Sequence, residues 1–152
     1  MTIDDLFELS VNNVSNKHYI IDLETISDTL VERIRLEIGI DITGFVISID
    51  NYGIRHTLER HGDLVLENSQ GQKAIEKKDF QLIQIIVNEA DKIIYDPRRK
   101  SPNSPLIETF IFEKQIDDFY YVLKELRRVT KKGKVNRLVL QTMYITKKRR
   151  TF

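Results

Sequence analysis

LIETFIFEKQIDDFYYVLKEL, residues Leu106–Leu126, decides the fold class of this 152-residue chain. LIETFIFEK (106–114) and DFYYVLKEL (118–126) are rich in β-branched and aromatic residues, as strands are. The link QIDD between them is short enough to close a hairpin. Alternation puts Phe119 and Tyr121 on one face of the second strand and Tyr120 on the other. Downstream, RLVLQTMYIT (137–146) reads as a third strand, reached by a longer turn through RRVTKKGK (127–134). Upstream, KIIYD (92–96) is a short strand. PRRKSPNSP (97–105) holds all three prolines and is expected to be a loop.

The first half has a different period. Ser27 is placed to cap a helix DTLVERIRLEI that ends before Gly39, with Leu30, Val31, Ile34 and Ile38 at helical spacing. ITGFVISI (42–49) reads as a strand, and YIIDL (19–23) admits a short one; the rest of residues 1–25 gives no clear pattern. Asp50 or Asn51 caps a further helix, with Gly62 as its stop. KKDFQLIQIIVNEA (77–90) reads as a helix packing Phe80, Ile83, Ile86 and Val87. The expected fold is α+β: N-terminal helices packed on a roughly four-stranded antiparallel β-meander. The chain fits a single domain, with residues 1–40 as an N-terminal extension carrying one helix against a core of residues 41–152.

Composition narrows the function. With 41% apolar and 31% charged residues the chain reads as globular and soluble. No apolar run reaches the roughly 18 residues of a membrane span, so no membrane partner is expected. The start, MTIDDLFELS, lacks a basic segment followed by an apolar one, and a cytoplasmic location is expected. There is no cysteine, which excludes disulfides, thiol nucleophiles and cysteine-bound zinc; with three histidines a metal site would rest largely on carboxylates. The net charge of +1 hides an asymmetry: residues 1–75 hold 6 Lys+Arg against 13 Asp+Glu, residues 76–152 hold 18 against 10. The basic runs are RRK (98–100), RR (127–128), KKGK (131–134) and KKRR (147–150). They suit either a polyanion-binding face, nucleic acid foremost, or solvated loops and a tail.

YGIRHTLERHG (52–62) gathers two of the three histidines and two arginines. Each helical residue turns about 100°, so His56 and Arg60, four apart, share a face. His61 is five from His56 and falls on the stripe Ile54, Leu58, His61, the expected core face. That spacing is wrong for a helical two-histidine zinc pair, which needs i, i+4. By spacing alone His56 and Arg60 also fit an ordinary solvated surface, and His61 a boundary histidine bonded to backbone. His18, in NKHYIID, has no clustered partner in sequence and is read as structural.

The helix with H-x-x-x-R-H, then GQKAIEKKDF with its helix, then four strands ending in LVLQTMYITKKR, resembles the phage-associated members of the barnase–EndoU–colicin–RelE-like (BECR) nuclease superfamily. The resemblance covers about residues 45–150. It implies two helices on a four-stranded antiparallel sheet. It also implies metal-independent cleavage of RNA, often tRNA or ribosome-associated RNA, with no cofactor. Carried over residue by residue, it points to His56, Arg60 and His61 on the helix and to Thr142 and Tyr144 on the last strand. Barnase's glutamate general base has no obvious counterpart here.

Such cleavage needs a base for the ribose 2′-hydroxyl, an acid for the departing 5′-oxygen, and cations on the phosphate. Histidine titrates near working pH, and arginine holds two phosphate oxygens while staying charged. His56 is thus expected as base or acid, Arg60 as phosphate clamp, Thr142 and Tyr144 as orienting hydroxyls, and His61 as a second proton carrier. Arg98, Arg99, Lys100, Lys147, Lys148, Arg149 and Arg150 are the expected RNA contacts, with exposed members of Phe119, Tyr120 and Tyr121 stacking bases. The functional expectation is an endoribonuclease that leaves a 2′,3′-cyclic phosphate, acting as a toxin or phage effector with an immunity or inhibitor protein as partner. Its alternatives are a non-catalytic RNA-binding module and a protein-interaction domain.

Overall fold

Phe110 and Phe112 point to one face of their strand and Ile111 to the other, and the molecule is built on that division. The computed structural model describes residues 1–12, 17–129 and 135–147. Its elements are α1 (Ile3–Asn12), β1 (Ile20–Thr25), α2 (Asp28–Glu37), β2 (Val46–Asp50), α3 (Asn51–His61), α4 (Leu64–Ser69), β3 (Gln72–Lys73), a 3₁₀ segment (Lys77–Leu82) leading into α5 (Ile83–Asn88), β4 (Lys92–Arg98), β5 (Ile107–Ile116), β6 (Phe119–Val129) and β7 (Asn136–Thr146). The fold is α+β, as expected.

The meander β4–β5–β6–β7 is antiparallel throughout. The helices do not simply precede it. Three further strands from the first half extend the sheet to seven, in the order β1-β2-β7-β6-β5-β4, with β3 also paired to β7. β2 runs parallel to β7, so the sheet is mixed. β6 fills one edge of β7 along its length, so β2 at Arg137–Val139 and β3 at Ile145–Thr146 must share the other edge. Between them that edge is covered by α3. A Cβ on Gly53 would stand 2.4 Å from the Leu140 carbonyl oxygen, so glycine lets the helix backbone lie directly on the strand.

One sheet face carries the core. Ile3 and Leu6 of α1, Leu30 and Ile34 of α2, and Phe80, Ile83, Ile86 and Val87 pack on Phe110, Phe112, Leu123, Leu138, Leu140, Met143 and Ile145. Each such side chain contributes about 1.5–3 kcal/mol by leaving water. Tyr121 belongs to this core, Phe119 packs against it, and Tyr120 does not. Among the described residues the opposite face carries a smaller cluster, Ile111, Val122 and Tyr144, with Ile94 beside it.

An irregularity in β7 decides which of its residues reach the open face. Lys124 pairs with Thr142 but Glu125 pairs with Leu140, leaving Gln141 as a bulge. Strict alternation would send Leu138, Leu140, Thr142 and Tyr144 one way. The bulge keeps Leu138, Leu140, Met143 and Ile145 on the core side and turns Thr142 and Tyr144 to the open face.

Several readings of the sequence are corrected. α1 was not legible, yet Thr2 and Asp5 exchange capping bonds: the Asp5 N–H donates to the Thr2 hydroxyl (3.1 Å) and the Thr2 N–H to the Asp5 carboxylate (2.9 Å). The described part of residues 1–40 therefore holds two helices and a strand, not one helix. Pro97 and Arg98 are not in a loop but end β4, an edge strand where proline's missing N–H is tolerated. Gly62 does end α3, but with φ −96 rather than a left-handed conformation. Glycine is needed there because a Cβ would meet the Leu58 carbonyl oxygen at 2.6 Å. The turn at residues 130–134 lies outside the described residues. Among the described residues no helix is long and apolar enough to cross a membrane.

Candidate active site

α3 starts where β2 ends. Asp50 caps it, accepting the Gly53 N–H at 2.7 Å, which fixes the phase of the helix against β7. Ile54 goes into the core, Leu58 packs against it, and Thr57 is buried. His56 and Arg60 are thereby turned toward the open face of the sheet, where they form one wall of a cleft of about 370 Å³. The floor comes from the sheet: Thr142 and the bulged Gln141 of β7, Lys124 of β6, Thr109 and Ile107 of β5. The far wall is Asp96 and Arg98 of β4 with Arg99 and Lys100 from the loop after it.

Five of the residues lining this cleft carry a fixed positive charge: Arg60, Arg98, Arg99, Lys100 and Lys124. The cleft's carboxylate, Asp96, is held by Arg98 at 2.8–3.0 Å. Arg99 donates to the Ser104 carbonyl at 2.7 Å, which anchors it to its own loop. Among the described residues Arg60, Lys100 and Lys124 form no ion pair and stand ready for an anion. The Thr142 hydroxyl is buried in the floor and has no hydrogen-bond partner among the described residues. A buried hydroxyl left unpaired is costly, so it is a donor awaiting an acceptor.

The imidazole of His56 is held below its ordinary value of 6.5, first by burial, then by the charge of Arg60; Glu59 opposes this and His61 adds slightly to it. It is neutral at neutral pH, the form that can accept a proton.

The other residues singled out in the sequence lie elsewhere. His61 points away from His56, as five-residue spacing requires. Its Nδ1 lies 3.3–3.4 Å from the carboxylate of the fully buried Glu67, not against backbone. Its ring is 5.3 Å from that of Tyr144, and its carbonyl accepts the Ile75 N–H at 2.7 Å. His61, Glu67 and Tyr144 thus tie α3, α4 and β7 together, and neither His61 nor Tyr144 lines the cleft. Lys147 is exposed beside β3, its N–H on the Gly71 carbonyl, and is also outside the cleft. Lys148, Arg149 and Arg150 lie outside the described residues. His18 does have a partner: its Nε2 is 2.9 Å from the Asp50 carboxylate.

Sequence reading missed Lys124, Gln141, Thr109 and Asp96. Lys124 interrupts the apolar run FYYVL, which is a signal of an exposed position. That it sits across from Thr142 depends on the bulged register, which spacing does not reveal. Among the described residues no cluster of three His, Asp or Glu is close enough to hold a metal ion.

No curated protein and no solved structure matched the chain. The sequence model of one family, PBECR3, the phage-Barnase-EndoU-ColicinE5/D-RelE like nuclease3 family, matches residues 24–152, so the match begins well ahead of residue 45 and takes in α2 and β2. With most of its length so matched, and with a cationic cleft on the open face of its sheet, the chain belongs to this phage-associated family of BECR-like nucleases.

Proposed function

We propose that the chain is an endoribonuclease that cleaves RNA without a metal ion, by transferring the phosphodiester to the neighbouring ribose hydroxyl. The observation that carries this reading is a single cleft in which a neutral imidazole, a free guanidinium, a free ammonium and an unpaired hydroxyl converge. Neutral His56 takes the proton of the 2′-hydroxyl. The 2′-oxygen then bonds to phosphorus and the bond to the 5′-oxygen breaks. Arg60 grips the non-bridging oxygens, and the Thr142 hydroxyl donates to one of them. Lys124, on the floor beside Thr142, gives a proton to the departing 5′-oxygen. The products are a 2′,3′-cyclic phosphate and a 5′-hydroxyl end.

Arg98, Arg99 and Lys100 hold the flanking phosphates, and His61 and Tyr144 position α3 from behind. A structured RNA such as tRNA is the proposed target. The proposed setting is a toxin or phage effector, restrained in its host by an inhibitor protein that covers the cationic cleft.

The test is incubation of the purified chain with total tRNA in EDTA, followed by analysis of product ends. Cyclic-phosphate ends are expected from the wild type, and His56→Ala should lose about 10²–10⁴-fold in rate with its fold intact. Undiminished cutting by that variant would remove His56 from the chemistry. Salt-sensitive binding without any cutting would leave an RNA-binding module.

A further inference from the structure

The helix that presents His56 and Arg60 presents another residue one turn earlier. Tyr52 is four residues before His56, so it lies on the same side of α3, about 6 Å nearer the N-terminus. Tyr52 is 43% exposed. The imidazole of His18 lies flat against it, with ring centroids 5.0 Å apart and planes 6° from parallel. The Arg55 guanidinium stands 5.2 Å from the centre of the tyrosine ring.

This stack is held in place from below. The side chain of His18 is 40% exposed, but its Nε2 is fixed at 2.9 Å to the buried carboxylate of Asp50, the same group that caps α3. The Asn51 side chain accepts the Tyr19 N–H and donates to the Lys17 carbonyl, both at 2.9 Å. The backbone on either side of His18 is therefore hydrogen-bonded to the start of α3, which sets the imidazole beside the Tyr52 ring. The large rings Phe80, Phe110 and Phe112 are fully buried, whereas this pair keeps about two-fifths of its surface in water. His18 also lies ahead of the residues matched to the family.

We propose that the His18–Tyr52 pair, flanked by Arg55, is a stacking subsite for an unpaired base of a single-stranded RNA, one that flanks the phosphate bound between His56 and Arg60. This rests on the ribonuclease reading of the cleft. Every base has a π-face, so an exposed aromatic stack with a guanidinium over its tyrosine takes any of them, and the one-turn offset along α3 sets the base next to the scissile position. The subsite selects for unstacked nucleotides, such as those of a loop, over paired ones.

The experiment measures binding of a single-stranded RNA blocked against cleavage by 2′-O-methyl groups and carrying 2-aminopurine, whose fluorescence is quenched by stacking. The full chain is compared with Tyr52→Phe, Tyr52→Leu, Tyr52→Ala and His18→Ala. Tyr52→Phe should bind as the wild type does. Tyr52→Ala and Tyr52→Leu should each bind about 5- to 150-fold more weakly. Quenching should fall in both and in His18→Ala. The dependence on salt should be unchanged in the tyrosine variants, because a stacked base releases no counterions, whereas Arg98→Gln should lower the logarithmic salt slope by about 0.7. Equal affinity and equal quenching across the tyrosine series would overturn the subsite. Cleavage of the unmodified RNA in EDTA is followed in parallel. Tyrosine-dependent binding without cleavage removes the nuclease reading and keeps the subsite, while cleavage with tyrosine-independent binding does the reverse.

Discussion

His56 is the only described histidine in the cleft, and its ionisation is set by the residues around it. Burial and Arg60 both disfavour the imidazolium, and Glu59 favours it. A general base works only when neutral, so activity is present above its pKa and lost as pH falls through it. In the wild type that acid limb should lie below the ordinary 6.5. Arg60→Gln removes a charge that holds the value down, so the limb should move to higher pH, and kcat/KM should fall on the order of 10²-fold through loss of the phosphate clamp. Glu59→Gln should move the limb the other way with little loss of rate at neutral pH. Profiles of kcat/KM against pH for the three proteins check this, and coincident acid limbs would show that another group titrates. At this scale the sequence was readable where one helix supplied the pattern. Four-residue spacing put His56 and Arg60 together, and five-residue spacing put His61 apart. Lys124 was unreadable as a site residue because its neighbour across the sheet is fixed by pairing, not by spacing.

α3 is the element on which the cleft depends, because it lies on an edge of β7 that two short strands leave uncovered. Its contact with the strand passes through Gly53. Gly53→Ala improves helix propensity by up to about 1 kcal/mol, but its methyl would need the space of the Leu140 carbonyl. The helix must then lift or tilt, at a cost of about 1–3 kcal/mol, carrying His56 and Arg60 away from Thr142 and Lys124. A lower Tm together with a lower kcat is the expected outcome, read by thermal melts and RNA cleavage; a raised Tm would mean that the helix has slack. The elements that packed a regular face were legible: α2 with its Ser27 cap, α3 with its Asp50 cap, and strands β4 to β7. Those that escaped had short or compound signals. β3 has two residues, too few for any period. α1 hides its apolar residues Ile3, Leu6 and Phe7 among acidic ones. The Gln141 bulge breaks the alternation of β7, yet LVLQTMYI remains apolar enough to read as one continuous strand.

Across the whole molecule the two sheet faces are kept distinct, the main apolar core on one and the cationic cleft on the other, and Glu125 is a carboxylic acid set on the apolar side. It is completely buried, and neither of its carboxyl oxygens has a hydrogen-bond partner among the described residues. Its strand neighbour Lys124 faces the cleft, so alternation commits Glu125 to the apolar side, between Phe110 and Leu140. Burial, reinforced by the charge of Asp50, holds its carboxyl well above the ordinary 4.5. The folded protein therefore keeps a proton that the unfolded chain releases above about 4.5. Stability must then decline as pH rises from that value toward the folded-state pKa. Glu125→Met removes both the titration and the unpaired oxygens at similar volume. It should be more stable than the wild type by about 1–3 kcal/mol near neutral pH, where the unpaired group is hardest to keep. The difference should shrink toward pH 5, because both proteins share the contributions of His56, Asp79 and every other group. Urea midpoints at pH 5, 6.5 and 8 measure the gap directly. A gap that stays constant with pH would mean that this carboxyl ionises equally in both states. A wild type more stable than the methionine variant at every pH would mean that Glu125 has a partner holding the strand from which Lys124 reaches the cleft.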